Sequence, residues 1–191
     1  MRRSILSLSL AVLALSGATR GTATAQRPGV FTLGSTNFRD GAVLDVRHAG
    51  AIAGNANCVG RNVSPQLSWS NVPEGTKSLA FLMIDPEGRN GLEVAHWVAY
   101  GVPVTRTSFA EGEAAQPPRG YVGGRSTQGL DHYSGPCTPP GTTYHHYTFV
   151  VIATDLAPDA LPAGLTREEL MAKLSGHAKA SSGLVGLFRH P

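Results

Sequence analysis

The sequence predicts one mainly β domain in which most strands run antiparallel. Short apolar segments alternate with turns rich in Gly and Pro along most of the chain, which is typical of all-β folds. Two of these segments, residues 78–84 and 94–100, are apolar on both faces, as in strands at the centre of a sandwich or barrel. Only residues 166–179 have the pattern of a good helix. The fold class is therefore decided by the strands.

The strands follow one another in short segments that turns separate. Their predicted bounds are 30–35, 42–46, a short strand through Leu67 and Trp69, 78–84, 94–100, 144–154 and 183–188. Residues 104–131 are polar and have no sustained period, which predicts a long irregular connection. The helix at 166–179 would have Thr166 as its N-cap, with Glu168 and Glu169 in its first turn.

The N-terminal 25 residues have the pattern of a cleaved secretory signal. Two arginines are followed by an apolar run over residues 5–15, and alanine occupies the last and third-last positions before Gln26. A membrane-spanning anchor is the disfavoured alternative, because it needs about 20 apolar residues. We therefore predict a signal peptide at 1–25 and a single domain at 26–191. The mature protein would be periplasmic or secreted and would have no transmembrane segment.

The charge of the chain argues against nucleic acid as a partner. The sequence has 16 Lys and Arg against 13 Asp and Glu, and Arg2, Arg3 and Arg20 account for the whole excess. These three arginines belong to the predicted signal peptide. The rest of the chain is balanced in charge and has no cluster of basic residues, so we expect no nucleic-acid partner.

The sequence contains two cysteines, Cys58 and Cys137, and both lie in loops rich in Gly, Pro or Asn. An even number of cysteines in an exported protein favours a disulfide bond. Two separate buried thiols are the alternative, because spacing in the sequence does not decide between them. A bond would close a loop of roughly 80 residues, which is worth on the order of 4 kcal/mol.

Two adjacent histidines begin the strand at 144–154, directly after a loop punctuated by Gly and Pro. Side chains alternate along a strand, so one face would carry His145, Tyr147, Phe149 and Val151. The other face would carry His146, Thr148, Val150 and Ile152. The two histidines cannot point into one site, and we expect one to be functional and the other structural.

Three polar residues interrupt the apolar strands. Asp85 ends one strand, His96 lies within the next, and His145 begins a third. Burial of such groups costs several kcal/mol unless each has a partner, so a structural Asp–His hydrogen bond is the simplest interpretation. The same three residues could form a zinc site, but the sequence lacks the usual metalloprotease spacings. It also lacks a Gly-x-Ser-x-Gly motif, so a serine hydrolase is not indicated.

Several short motifs occur in a fixed order. They are Asn-Val-Ser-Pro-Gln-Leu-Ser-Trp at 62–69, Val-Pro-Glu-Gly-Thr-Lys-Ser-Leu at 72–79, Asp-Pro-Glu at 85–87, His-Trp-Val at 96–98, Gly-Pro-Cys at 135–137, His-His-Tyr at 145–147 and Leu-Val-Gly at 184–186. This ordered set resembles the phosphatidylethanolamine-binding protein family, in particular its exported bacterial Raf-kinase-inhibitor-like branch. The resemblance covers about residues 30–190. It implies an antiparallel β-sandwich with short peripheral helices and a small anion pocket at one end.

The resemblance also implies the residues of that pocket. Asp85, His96 and His145 would line it, with Tyr147 nearby, and backbone N–H groups of the Gly135 loop would face the anion. Asp85 would orient His96 or receive the ammonium of a head group. We expect a binding protein and not an enzyme, with a phosphate or phosphoethanolamine-like head group as ligand and with no cofactor or metal.

The sequence departs from the usual family pattern at the pocket rim. Glu87 stands where the family commonly has aspartate, and Arg89 stands where it has a second proline. Relatives of the family include kinase and protease inhibitors. The alternative function is therefore an exported protease inhibitor or signalling-interaction protein in which the pocket is regulatory or vestigial.

Overall fold

The computed structural model describes residues 29–191, whose backbone forms two β-sheets. The predicted signal peptide at 1–25 lies outside the described residues. The strands are β1 (Thr32–Gly34), β2 (Ala42–Val43), β3 (Leu67–Ser70), β4 (Ser78–Asp85), β5 (Val94–Pro103), β6 (Ser108–Phe109), β7 (Val122–Gly123), β8 (His145–Thr154) and β9 (Ala178–Phe188). The helices are α1 (Gly88–Gly91) and α2 (Arg167–Leu174). No helix within residues 29–191 has the length and hydropathy needed to span a bilayer.

The two sheets pack face to face as a sandwich. The larger sheet has the order β2-β9-β8-β4-β5-β7, and the smaller one has the order β1-β3-β6. All strand pairs are antiparallel except β2 with β9. Trp69 of the smaller sheet packs on Phe81 of the larger one, with ring centroids 4.8 Å apart. This architecture confirms the predicted mainly β sandwich with short peripheral helices.

Strand β4 lies at the centre of the larger sheet, which explains why it is apolar on both faces. Its residues Leu79, Phe81 and Met83 belong to the core between the two sheets. Its alternate residues Ala80, Leu82 and Ile84 belong to a second apolar cluster, which includes Leu170 and Leu174 of α2. Both faces of β4 are thus removed from water, as the continuous apolar pattern predicts.

Strand β5 contains an extra residue that determines the direction of His96. Met83 of β4 pairs with Trp97, whereas the next residue, Ile84, pairs with Ala95, so His96 is the additional residue of a β-bulge. Strict alternation would place His96 and Trp97 on opposite faces of the sheet. Instead both side chains lie on the face toward the smaller sheet. Trp97 packs in the core between the sheets, and the ring of His96 contacts that of Tyr147 in the same core, with centroids 5.2 Å apart.

The helix at the C-terminal end is shorter than predicted. Thr166 caps it as expected, in a reciprocal arrangement with Glu169. The helix ends at Leu174, and the chain then turns at Gly176, whose φ of 83° suits glycine. Residues 178 and 179 belong to β9, because β9 pairs with β8 along its whole length. Sheet pairing here overrides the helical pattern of the sequence.

The long connection at 104–131 is mostly irregular, as predicted, but it contributes a short strand to each sheet. Strand β6 pairs with β3, and β7 pairs with β5. Cys58 and Cys137 form the predicted disulfide bond, with Cα atoms 4.3 Å apart. The bond joins the loop before β3 to the loop before β8.

Candidate functional site

A cavity of about 330 Å³ opens where β4 ends and β8 begins. Asp85, His96 and His145 all line it. They come from the end of β4, the bulge of β5 and the start of β8, and β4 lies between the other two strands in the sheet. The sheet therefore brings together three residues that are far apart in the sequence, as the sequence predicts. Tyr147 also lines the cavity.

Asp85 is a buried carboxylate that accepts hydrogen bonds from three donors. Its Oδ1 accepts hydrogen bonds from the N–H groups of Glu87 and Gly88 at 3.1 and 3.0 Å. Its Oδ2 accepts one from His145 Nδ1 at 2.8 Å. Burial raises the pKa of Asp85, but the interactions with His96 and His145 outweigh this effect and hold the pKa below its ordinary value. Asp85 therefore carries a negative charge at neutral pH.

His96 is oriented by the backbone and not by Asp85. Its Nδ1 lies 2.8 Å from the carbonyl oxygen of Ser134, which can only accept a hydrogen bond. Its Nε2 lies 3.9 Å from Asp85 Oδ2, which is too long for a hydrogen bond. This corrects the expectation that Asp85 orients His96. Asp85 instead orients His145.

The positions of these contacts decide which imidazole atom is available to a ligand. Both His96 and His145 carry their hydrogen on Nδ1, because Nδ1 faces an acceptor in each case. In the neutral ring Nε2 then has a lone pair and no hydrogen. Each histidine can donate from Nε2 only after it takes up a second proton. The neutral site therefore presents acceptors, and the protonated site presents donors.

Tyr147 forms a wall of the cavity. Its ring packs edge-on against His96 and is stacked with His145 at 6.4 Å. Its hydroxyl group lies 2.9 Å from Thr138 Oγ1. Burial raises the pKa of Tyr147, so the phenol stays neutral. The structure thus places Tyr147 beside both histidines, as expected.

His146 points away from the cavity, as strand alternation predicts. Its Nδ1 lies 2.8 Å from Glu87 Oε1, and its backbone N–H donates to Glu87 Oε2 at 3.1 Å. Burial raises the pKa of Glu87, but these hydrogen bonds outweigh the effect, so that the pKa lies below its ordinary value. Glu87 therefore ties the turn after β4 to the start of β8 at the cavity rim.

Gly135 has a packing role and does not line the cavity. Its N–H donates to Asn62 Oδ1 at 2.8 Å, and a Cβ atom at this position would clash with the carbonyl oxygen of His48. The expectation that this N–H faces an anion is therefore corrected. Cys137, Thr138 and Pro139 of the same loop do line the cavity.

The structure also brings together a group whose composition could suit a metal ion. Ligand atoms of Asp85, Glu87 and His145 lie within 4.8 Å of one another. Asp85 already accepts hydrogen bonds from two backbone N–H groups and from His145, and Glu87 is paired with His146. A metal ion bound by the two carboxylates would compete with these hydrogen bonds. The donor set fits a satisfied polar network better than a metal centre.

Sequence reasoning missed two contributors to the site. Ser134 acts through its carbonyl oxygen, for which no side-chain pattern exists. Thr138 contacts Tyr147 from within the Pro-rich loop, where no periodicity marks it. Glu87 was identified as a departure at the rim, but its partner His146 lies 59 residues away in the sequence.

Comparisons with known proteins find relatives that match most of the described domain. The family model "Phosphatidylethanolamine-binding protein" matches residues 34–189. A UPF0098 protein of Aquifex aeolicus is 35% identical over 133 residues, which cover 69% of this chain and 77% of that protein. A candidate lipoprotein of Mycobacterium tuberculosis, LppC, is 35% identical over 157 residues, which cover 82% of this chain and 71% of that protein.

A solved structure extends the similarity to the fold. The crystal structure of Escherichia coli YbcL, described as a new member of the mammalian PEBP family, matches with a TM-score of 0.75 and 29% identity. The match covers 83% of this chain and 98% of that one. The family model spans nearly all of the described residues, and the fold as a whole is similar to that of YbcL. The chain therefore belongs to the phosphatidylethanolamine-binding protein family.

Proposed function

We propose that the cavity binds a small oxyanion, such as phosphate or a phosphoethanolamine-like head group, and that the protein is a binding protein and not an enzyme. One observation carries the proposal. His96 and His145 line a cavity beside a buried carboxylate, and each has its Nδ1 held by an internal acceptor. Each ring is thus pre-oriented with Nε2 as its remaining hydrogen-bonding atom.

The charge of the site depends on protonation of the two histidines. With both rings neutral, Asp85 gives the group of three a charge of −1, and with both protonated the charge is +1. Glu87 and Arg89 also line the cavity with opposite charges. Binding of an oxyanion should therefore be accompanied by protonation of the histidines. The ammonium group of an ethanolamine head group would lie near the carboxylates of Asp85 and Glu87.

The groups around the cavity also favour binding over catalysis. Covalent catalysis needs a nucleophile within hydrogen-bonding reach of a base. Cys137 lines the cavity but is bonded to Cys58. The Thr138 hydroxyl pairs with Tyr147, whose phenol is neutral, and not with a histidine. This supports a role in holding a ligand.

Calorimetric titration with inorganic phosphate and with phosphoethanolamine tests the proposal. We expect dissociation constants between about 1 µM and 1 mM, because few contacts offset a large cost of desolvation. At pH 6, His145→Ala should weaken binding about tenfold, since it removes a charge-assisted hydrogen bond. His146→Ala is the matched control, because His146 points outward and contacts Glu87 at the rim, and it should weaken binding less than His145→Ala does.

Two results would contradict this proposal. One is an equal effect of the two histidine substitutions. The other is net proton uptake of zero at pH 7 on binding of sulfate, an oxyanion that does not itself titrate near this pH, measured in buffers of different ionisation enthalpy. Detectable turnover of a phosphate ester that His145→Ala abolishes would contradict the non-enzymatic role.

We also infer that the protein works outside the cytoplasm, in the periplasm or after secretion. The disulfide bond between Cys58 and Cys137, the signal-like residues 1–25 and a relative named as a candidate lipoprotein support this inference. N-terminal sequencing of the folded protein from its native host tests it. Recovery of Met1 on the abundant form would count against it.

The alternative predicted from the sequence, an exported protease inhibitor, can be separated from ligand binding with the same variants. Stoichiometric inhibition of a protease that persists in His145→Ala would favour an inhibitor in which the cavity is vestigial. Phosphate binding without inhibition would favour the binding protein.

A further inference from the structure

A second cavity of about 260 Å³ lies behind the first, between α1, residues 125–127 and the start of α2. The first residues of β5 separate the two cavities. Val94 and His96 line the first, whereas Ala95 lines the second. Thr127 closes this wall, because its N–H and its Oγ1 bond to the backbone of Ala95, both at 2.9 Å. The cavities are thus distinct spaces on opposite faces of one strand.

Three arginines line the second cavity, and two of them have no carboxylate partner. Arg167 lies 3.1 Å from Glu93 and 3.7 Å from Glu168, so it pairs with both acidic residues of the cavity, and the three arginines and two glutamates together leave a net charge of +1. Arg89 and Arg125 have no Asp or Glu oxygen within 4.0 Å in the part of the chain that the structure describes. Two guanidinium groups therefore remain available to a ligand. Arg89 also lines the first cavity.

Neutral hydrogen-bond donors supplement these charges. Ser126 is only 5% exposed. Its Oγ accepts a hydrogen bond from the N–H of Leu130 at 3.1 Å, which leaves its own hydrogen free to donate. The N–H groups of Arg167 and Glu168, in the first turn of α2, have no acceptor among residues 29–191. The second cavity is therefore rich in hydrogen-bond donors.

We propose that the second cavity is a separate oxyanion site, in which Arg89 and Arg125 hold a phosphate-like group. Guanidinium groups bind such oxyanions in a bidentate manner and stay protonated at all physiological pH values. Binding at this site should therefore persist at pH 8, where imidazoles are neutral. The site goes beyond the proposed function and does not depend on it.

This site can be tested by titrating the full domain with inorganic phosphate at pH 8. Calorimetry measures the binding, and ¹H–¹⁵N spectra measure the shifts of the backbone amides. We expect saturable binding that shifts the amides of residues 125–127 and of the first turn of α2. Arg125→Ala should weaken phosphate binding at this site about tenfold, because one charge-assisted contact is lost. His145→Ala should leave it unchanged. Arg39→Ala, an exposed arginine away from both cavities, is the matched control.

The same data separate this proposal from the first. Unshifted amides at 125–127 in the wild-type protein, or equal effects of Arg125→Ala and Arg39→Ala, would show that there is no second site. Because the amide shifts use unsubstituted protein, this outcome does not depend on the folding of a variant. Failure of His145→Ala to weaken binding at pH 6 would instead count against the first site alone.

Discussion

Asp85→Asn should destabilise the protein, because Asp85 is the carboxylate on which the site is built. Asparagine can still accept the hydrogen bonds that Glu87 and Gly88 now donate to Oδ1. Its amide group would face His145 Nδ1 in place of Oδ2, so His145 would have to move its hydrogen to Nε2, and the hydrogen bond of 2.8 Å to a charged acceptor would be lost. A hydrogen bond to a charged group contributes about 1.5–3 kcal/mol. We therefore expect the free energy of unfolding at pH 7 to fall by about 2 kcal/mol.

Urea unfolding followed by tryptophan fluorescence measures this difference. Glu87→Gln is the matched control, because its pair with His146 is largely exposed and should contribute less than about 1 kcal/mol. The pKa of Asp85 is lowered by folding from an ordinary value of 3.8. Its stabilising effect is therefore complete above about pH 4 and is lost as the pH falls through the pKa of the folded state. The difference between wild type and Asp85→Asn should shrink below pH 4. A variant as stable as the wild type at pH 7, or a difference that grows in acid, would refute this reasoning.

Two further predictions concern the loop before β8. Gly135→Ala should destabilise the protein by about 1–3 kcal/mol, because the added methyl group meets the backbone of His48. Gly34→Ala is the control, because its methyl group enters open space and should change the stability little. Equal unfolding midpoints of the two variants would contradict this prediction. Replacing both Cys58 and Cys137 with serine should lower the free energy of unfolding by about 2–4 kcal/mol. The double substitution should also weaken phosphate binding at pH 6, because Cys137, Thr138 and Pro139 line the first cavity. Unchanged affinity in the folded variant would show that the disulfide does not hold the cavity wall.

Much of the fold could be predicted because it depends on local pattern. The alternation in β8 correctly separates His145 from His146, and the continuous apolar run of β4 correctly indicates a strand buried on both faces. The capping residues Thr166 and Glu169 correctly locate the start of α2. The predicted end of α2 was wrong, because residues 178 and 179 belong to β9, which pairs with β8, and such pairing depends on chain segments that are distant in sequence.

The sequence by itself determined that Asp85, His96 and His145 would need partners, because polar groups on apolar strands are costly to bury. Only the tertiary structure decided which partners they have. His96 turns inward because a bulge adds one residue to β5, and its hydrogen bond goes to a backbone carbonyl that every residue type possesses. Gly135 lost its expected role because Asn62, 73 residues away, occupies its N–H. Periodicity and propensity are local properties of a sequence, whereas strand register and hydrogen-bond partners are set by which distant segments pack together.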